Sequence, residues 1–257
     1  MPEFRQEFFN ALLQQLNDIG KSPTNGPALR IVSISEKEVV IQESNYFSQL
    51  ATNLAIDVPL HSSSSTYRQA LMKPHLNKNY RSLPALSEYG LANTLGVAVM
   101  LYGEQGEQYF RVRDNTATNR VGEHGLVPAS SGVAKVDFQS FQPGQLIVDC
   151  LTEAMEKNIA EELPMESNKY TLYPVCISRE LSRCGKPQMF FCAVTSHTLE
   201  ELEEIARSAK HKNEFKGAIV NIIRSPSNID NFASEGYAAG FFGDKFCKVN
   251  NLAGFGT

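Results

Sequence analysis

Two adjacent glutamates, Glu161 and Glu162, stand near the end of a stretch, residues 144–165, whose pattern predicts one amphipathic helix. The apolar residues of its buried stripe recur every four positions: Leu151, Met155 and Ile159. Asn158 precedes the two glutamates by three and four residues, so all three side chains can face one patch. Paired carboxylates on a rigid helix suit a hard cation such as Mg²⁺. A solvated acidic turn is the alternative explanation.

The composition limits the classes of function. The chain has 257 residues, 42% of them hydrophobic, which suits one large globular domain or two smaller ones. Its formal net charge is −4, and this acidic balance argues against general binding to nucleic acids or anionic membranes. No stretch approaches the ~18 apolar residues that a membrane span requires.

The five cysteines and the first residues of the sequence bear on the compartment. The number of cysteines is odd and no CxxC pair occurs, so neither a structural zinc site nor a redox dithiol is indicated. The first residues lack a basic start followed by a long apolar run, so they do not predict a secretory signal. We expect a reducing, cytoplasm-like compartment without membrane association.

The order of elements predicts the fold class. Residues 1–92 contain a helix over 3–19, a β-hairpin and a second helix, and they form an N-terminal α+β extension of unknown role. Residues 93–257 form a second domain, in which the order from 94 on is strand, strand, loop, strand, helix, strand, strand, helix, strand, helix. This α/β (α+β) order predicts a mixed β-sheet sandwiched between helices.

That order, with the acidic helix in its middle, resembles the Nudix hydrolase superfamily. The end of the family signature, Arg-Glu-apolar-any-Glu-Glu-any-Gly-apolar, corresponds to KNIAEELPM, residues 157–165. Both Glu161 and Glu162 are kept, whereas Lys157 stands for Arg, Asn158 for the first Glu and Pro164 for Gly. Upstream, Asp149 falls where the family has an earlier Glu. Gly132 is similar to the glycine that opens the box, provided that residues such as VDFQSFQPG form an insertion.

The resemblance implies an activity and a metal. Nudix hydrolases bind one or more Mg²⁺ or Mn²⁺ ions through the glutamates of this helix and cleave nucleoside diphosphates linked to another group. By this resemblance Glu161 and Glu162 are the metal ligands and the catalytic carboxylates. Asn158 could offer a carbonyl oxygen but brings no charge and cannot take a proton. Glu180, at the end of the next strand, could replace it, or could be a surface glutamate beside arginines.

Two arginines and a glycine complete the candidate ligand-binding residues. Arg111 and Arg113 alternate along a predicted strand, and their guanidinium groups suit phosphate oxygens. A solvent-exposed strand face is the alternative explanation for both arginines. Gly132 and Asn158 are the remaining candidates, because the resemblance places both in the box.

Three functions follow from these observations. The first is a divalent-metal-dependent hydrolase of a nucleoside diphosphate linked to another moiety, with a small nucleotide-type substrate. The second is a Nudix-fold protein that has lost catalysis and works as a ligand-binding or protein-interaction module. The third is an unrelated α/β domain in which the glutamate pair is coincidental. Residues 1–92 could cover the cleft, set substrate choice or form the interface of a homodimer.

Overall fold

The computed structural model describes residues 9–10, 12–14, 17–18, 23–57, 66, 68–69, 83–88, 90–113, 125–138, 145–209, 215–222, 224 and 226–255. The described residues within 9–18 are helical, and the rest of the helix predicted over 3–19 lies outside the described residues. The chain divides into two compact units. The first comprises Met1–Leu95, Lys135–Ser140 and Arg179–Pro187, and the second comprises Gly96–Ala134, Phe141–Ser178 and Gln188–Thr257.

The first unit contains the expected β-hairpin. β1 (Pro27–Ile34) and β2 (Val39–Asn45) pair antiparallel, and α1 (Tyr46–Gln49) follows with Asn45 as its N-cap. Buried amides join the later segment 179–187 to this unit: Asn53 accepts a hydrogen bond from the Asn93 backbone N–H and donates one to the Arg183 carbonyl. The unit is therefore discontinuous in sequence because side-chain hydrogen bonds link its segments.

Among the described residues, seven strands form one mixed sheet. Their bounds are β3 (Gly96–Gly103), β4 (Gln108–Arg113), β5 (Gly125–Val127), β6 (Ser130–Val133), β7 (Tyr170–Glu180), β8 (Lys186–Thr195) and β9 (Phe215–Asn221). The sheet order is β5-β4-β3-β8-β7, and in addition β6 pairs with β3 and β9 pairs with β4. The pairing of β3 with β8 is parallel, whereas β3 pairs antiparallel with β4 and β6. A mixed sheet in an α+β fold is thus confirmed.

The strands β3 and β4 diverge, and the short strands β5 and β6 fill the gap between them. β3 pairs with β4 only at Leu101 and Tyr102, while its first half, from Gly96 to Val99, pairs with β6. The far end of β4 pairs with β5 on one side and β9 on the other. This arrangement brings the end of β4 and the start of β3 to the same short segment of chain.

In the part of the chain that the structure describes, three longer helices accompany the sheet: α2 (Ile147–Glu162), α3 (Leu199–Ser208) and α4 (Ser234–Asn250). α2 contacts β3 and β6, and α4 contacts β3 and β5. Ala98, Met100 and Tyr102 pack into a core cluster with Ala239 and Cys247 of α4. The residues of β3 that alternate with them are equally buried, so both faces of this strand are covered.

The helix bounds differ from the sequence pattern at two places. α2 lies within the predicted range 144–165 and begins and ends three residues inside it. The sequence pattern of residues 225–243 predicts a last helix that is ended by Gly243, but α4 continues to Asn250. Gly243 lies against the Tyr102 ring, where a Cβ would stand 2.5 Å from the hydroxyl oxygen. This glycine therefore permits a close helix–strand approach and does not terminate the helix.

α3 begins with a capping box, in which the Thr198 hydroxyl accepts from the Glu201 N–H and the Glu201 carboxylate accepts from the Thr198 N–H.

Within the described ranges, every helix falls short of the length and apolarity that a bilayer span would need.

The cysteines are free thiols, and four of the five are buried: Cys150, Cys184, Cys192 and Cys247. Cys192 and Cys247 face each other across the β8–α4 contact with 3.4 Å between their sulfurs. Contact with Cys247 and burial raise the pKa of the Cys192 thiol, and burial raises the pKa of the half-buried Cys176 thiol. A thiol kept protonated and away from solvent reacts slowly.

We expect native protein to react slowly with a colorimetric disulfide reagent at mildly alkaline pH. Cys176, which is half-buried, should react first, and all five thiols should react at once in guanidinium chloride. The Cys176→Ser variant should lose the fastest native phase and nothing else. Prompt reaction of several thiols in the native protein would contradict this burial pattern.

Candidate functional site

Arg111 holds the C-terminal end of α2. The residue is 1% exposed, and its strand partners are Val127 of β5 and Ile219 of β9. One guanidinium nitrogen donates to the backbone carbonyl of Glu162, at 3.1 Å. Glu162 is the last residue of the helix, so its carbonyl has no partner within the helix. A buried cation at this negative end of the helix dipole satisfies the carbonyl and offsets the dipole.

The Glu162 carboxylate connects the same helix end to β6. Its Oε2 atom accepts a hydrogen bond from the Ser131 backbone N–H, at 3.0 Å. Ser131 pairs with Ala98 of β3, so the glutamate is fixed to the strand next to the centre of the sheet. Glu162 is therefore held at both its carbonyl and its carboxylate, by two different strands.

Asn158 lies one turn before Glu162 and packs against Gly132. It is 8% exposed, and its amide nitrogen has no hydrogen-bond partner among the described residues. A Cβ at position 132 would stand 3.1 Å from both the amide nitrogen and the amide oxygen of Asn158. The glycine thus leaves the space that the asparagine side chain occupies, and the two positions are tightly coupled.

The other two candidates on these elements are less buried. Glu161 is half-buried on the last turn of α2, next to Glu162. Arg113 is half-buried two residues beyond Arg111, past an irregularity in the pairing of β4 with β9. The solvent-exposed strand face, which was the alternative explanation for the arginines, is wrong for Arg111 because its side chain is fully buried.

Glu180 belongs to the first compact unit. Its carboxylate lies 3.4 Å from the Arg183 guanidinium, and it accepts a hydrogen bond from the Ser182 hydroxyl at 3.2 Å. Its side chain is only 10% exposed, so it is a paired and largely buried glutamate and not a surface residue. A catalytic role for Glu180 would require its carboxylate to give up the contact with Arg183.

The described residues do not form a complete site for a divalent cation. Mg²⁺ requires several oxygen ligands in near-octahedral geometry, and here the helix offers two carboxylates and one amide. One oxygen of Glu162 already accepts from a backbone N–H, and Asn158 supplies no charge. Among the described residues, no three His, Cys, Asp or Glu side chains are grouped so that they could hold a metal. The residues present therefore fit Mg²⁺ or Mn²⁺ poorly.

Four sequence candidates thus meet at one place: Arg111, Gly132, Asn158 and Glu162. Ser131 was not among the candidates, because it acts through its backbone N–H and a backbone donor leaves no signal in the residue type. Arg111 donates to a helix end and is buried, and its expected role in binding phosphate stays a prediction. Together these contacts make a rigid joint between α2, β4 and β6.

The contact between Gly132 and Asn158 can be measured as a coupling energy. We expect Gly132→Ala to destabilise the protein by about 1–3 kcal/mol, because the new methyl group must displace the asparagine amide. In an Asn158→Ala background the same change should cost nothing or stabilise slightly, since alanine is favoured over glycine in a strand. Urea unfolding of the four proteins of the cycle gives the coupling. Additive effects would contradict the contact.

The bond from Ser131 to Glu162 can be tested by amide exchange. We expect Glu162→Ala to speed hydrogen exchange of the Ser131 amide at least ~10-fold, because its acceptor is removed. Glu156→Ala, at an exposed position on the same helix, is the matched control and should leave this amide unchanged. Equal exchange rates in the wild type and the Glu162→Ala protein would show that the carboxylate is not the acceptor.

Comparisons with known proteins give little further information. No family model matches the chain, and no curated protein matches it. Among solved structures, a similar one is the crystal structure of DR0079 from Deinococcus radiodurans, with 15% sequence identity and a TM-score of 0.30. The alignment covers 40% of this chain and 57% of that one, so the likeness is partial and supports no conclusion on function.

Proposed function

We propose that the second compact unit is a Nudix-like module that binds a small nucleotide-type ligand, or a protein partner, and has lost efficient metal-dependent hydrolysis. One observation carries the proposal: a buried, neutral Asn158 packs against Gly132, one turn before Glu162, at the position where the resembled signature has a carboxylate.

The physical reason lies in the charge of the ligand set. A site that lacks one carboxylate ligand has one negative charge fewer to attract a divalent cation. A neutral amide oxygen in its place binds the cation less tightly. A carboxylate is also the group that takes the proton of an attacking water, which an amide cannot do. Glu162, meanwhile, is engaged by Ser131 and Arg111 in holding the helix end. These contacts support a role for this helix in building the fold more than in chemistry.

A metal-dependent hydrolase of a nucleoside diphosphate derivative is the second candidate. Glu161 and Glu162 favour it, because both stand on the last turn of α2 and both are half-buried. In this case their carboxylates would have to hold the Mg²⁺ or Mn²⁺ ion between them. For either candidate function, we propose the reducing, cytoplasm-like compartment that the cysteines favour.

Turnover measurements separate the two candidates. Purified full-length protein is incubated with a panel of dinucleoside and sugar nucleotides, with and without Mg²⁺, and released phosphate and nucleotide are measured. We expect binding of at least one nucleotide by calorimetry without Mg²⁺-dependent turnover. Turnover that Glu162→Gln abolishes would establish the hydrolase instead. If no nucleotide binds and none is cleaved, the ligand-binding proposal is wrong, and the protein-interaction role remains.

The missing carboxylate can be restored as a separate test. We expect Asn158→Glu to lower the melting temperature in the absence of metal, because a buried charge is placed near Glu162. Saturating Mn²⁺ should raise the melting temperature of this variant by at least ~3 °C more than that of the wild type, about 1 kcal/mol for a protein of this size. Asn158→Gln is the control, because glutamine is neutral and has the same length as glutamate. An equal response of all three proteins would show that position 158 does not face the metal position.

A further inference from the structure

A cavity lies at the other end of β3 from Gly132 and Asn158, within the same compact unit. Its volume is about 370 Å³, within the range of small-molecule sites. Gly103 and Thr195, the last residues of the parallel neighbours β3 and β8, pair with each other, and both line the cavity. The carboxyl ends of adjacent parallel strands are a common place for ligands in sheets flanked by helices.

The side chains that line this β3–β8 end cavity are rich in hydrogen-bond acceptors. Glu104 and Glu107 come from the turn that joins β3 to β4, and Glu200 comes from the first turn of α3. Among its described lining residues there is no Lys or Arg. The cavity therefore has a negative potential, which disfavours phosphate and carboxylate ligands and favours a cation.

A buried tyrosine shows that the cavity is more than a group of surface carboxylates. Tyr109 lines the cavity, is only 4% exposed, and its hydroxyl makes no hydrogen bond to the described residues. Burial raises the pKa of this phenol, and the nearby charges of Glu107 and then Glu200 raise it further. The hydroxyl thus stays protonated near neutral pH, close to two carboxylates and without a partner of its own.

Gly103 keeps the space between these groups open. A Cβ at this position would collide with Glu107 Oε2 and would stand 2.8 Å from the Tyr109 hydroxyl. Both polar atoms therefore approach the same point at the end of β3. The Glu107 carboxylate is itself oriented by a hydrogen bond from the Gln105 backbone N–H, at 3.1 Å.

His197 adds one more acceptor. Its Nδ1 atom lies 3.2 Å from the Glu201 carboxylate, and its buried Nε2 atom has no hydrogen-bond partner among the described residues. A carboxylate only accepts hydrogen bonds, so Nδ1 carries the proton, and in the neutral ring Nε2 is left as an acceptor. The side chain is 14% exposed and lines the cavity beside the start of α3.

We propose that the β3–β8 end cavity binds a small organic cation, a primary ammonium or guanidinium compound. Such a ligand supplies the N–H donors and the positive charge that Glu107, Glu200 and the Tyr109 hydroxyl lack. A divalent metal is the less suitable occupant, since the described residues include no group of three metal-ligating side chains. The proposal is independent of the nucleotide-type function, because it concerns other residues and the opposite charge.

Calorimetric titration with three probes that share a butyl chain tests this proposal: butylamine, butylguanidine and butanol. We expect both cations to bind at least ~10-fold more tightly than the neutral alcohol, about 1.4 kcal/mol. The ratio of their affinities tells an ammonium site from a guanidinium site. Binding of butanol as tight as that of the cations, or binding of none of the three, would overturn the proposal.

Variants locate the binding. Glu107→Gln and Glu200→Gln should each weaken cation binding roughly threefold to tenfold, the range for one partly exposed charge pair. Glu204→Gln, exposed on the same helix as Glu200 and not part of the cavity lining, is the matched control and should leave affinity unchanged. Glu107 also orients its turn, so Glu107→Gln could fail to fold. In that case the test rests on Glu200→Gln. Equal weakening by Glu200→Gln and Glu204→Gln would show only a general charge effect and would overturn the assigned site.

Discussion

The hydrogen bond from the buried Arg111 guanidinium to the last carbonyl of α2 is the constraint on which the candidate site depends. A charged side chain that is 1% exposed is costly unless its donors are used, and a helix end with free carbonyls is the natural acceptor. The helix in turn ends in two acidic residues, which its negative end would disfavour. The buried cation on β4 offsets this, so strand and helix end stabilise each other.

The two ends of β3 differ in chemical character. At its start, an arginine, a backbone N–H and a neutral amide surround the helix end, and the space is closely packed. At its end, carboxylates and a phenol surround an open cavity without an internal cation among the described residues. At the first end, the Arg111 guanidinium and the Ser131 N–H both find acceptors on Glu162. The second leaves acceptors unsatisfied, which is the feature expected of a binding site and not of a structural joint.

The sequence allowed the elements to be predicted, but not the contacts between them. A four-residue apolar repeat located α2 to within three residues at each end, and β-branched runs located the strands of the mixed sheet. The grouping of Gly132 with Asn158 followed only from the resemblance, because residue spacing does not determine which strand a helix meets. The Ser131 N–H could not be predicted at all, since every residue but proline has one. Tyr109 and Glu200 lie far apart in the sequence, and only the structure shows that they line one cavity.

The parallel pairing of β3 with β8 also has a consequence for the order of folding. The chain between these two strands contains β4, β5, β6 and α2, and therefore every residue of the Arg111–Glu162 joint. Closing so long a loop carries a large entropy cost, and contacts formed inside the loop shorten it and reduce that cost. The joint links segments that are nearer in sequence than the two strands are. Its early formation would thus bring β3 and β8 together faster, and mutations that weaken it should slow folding as well as lower stability.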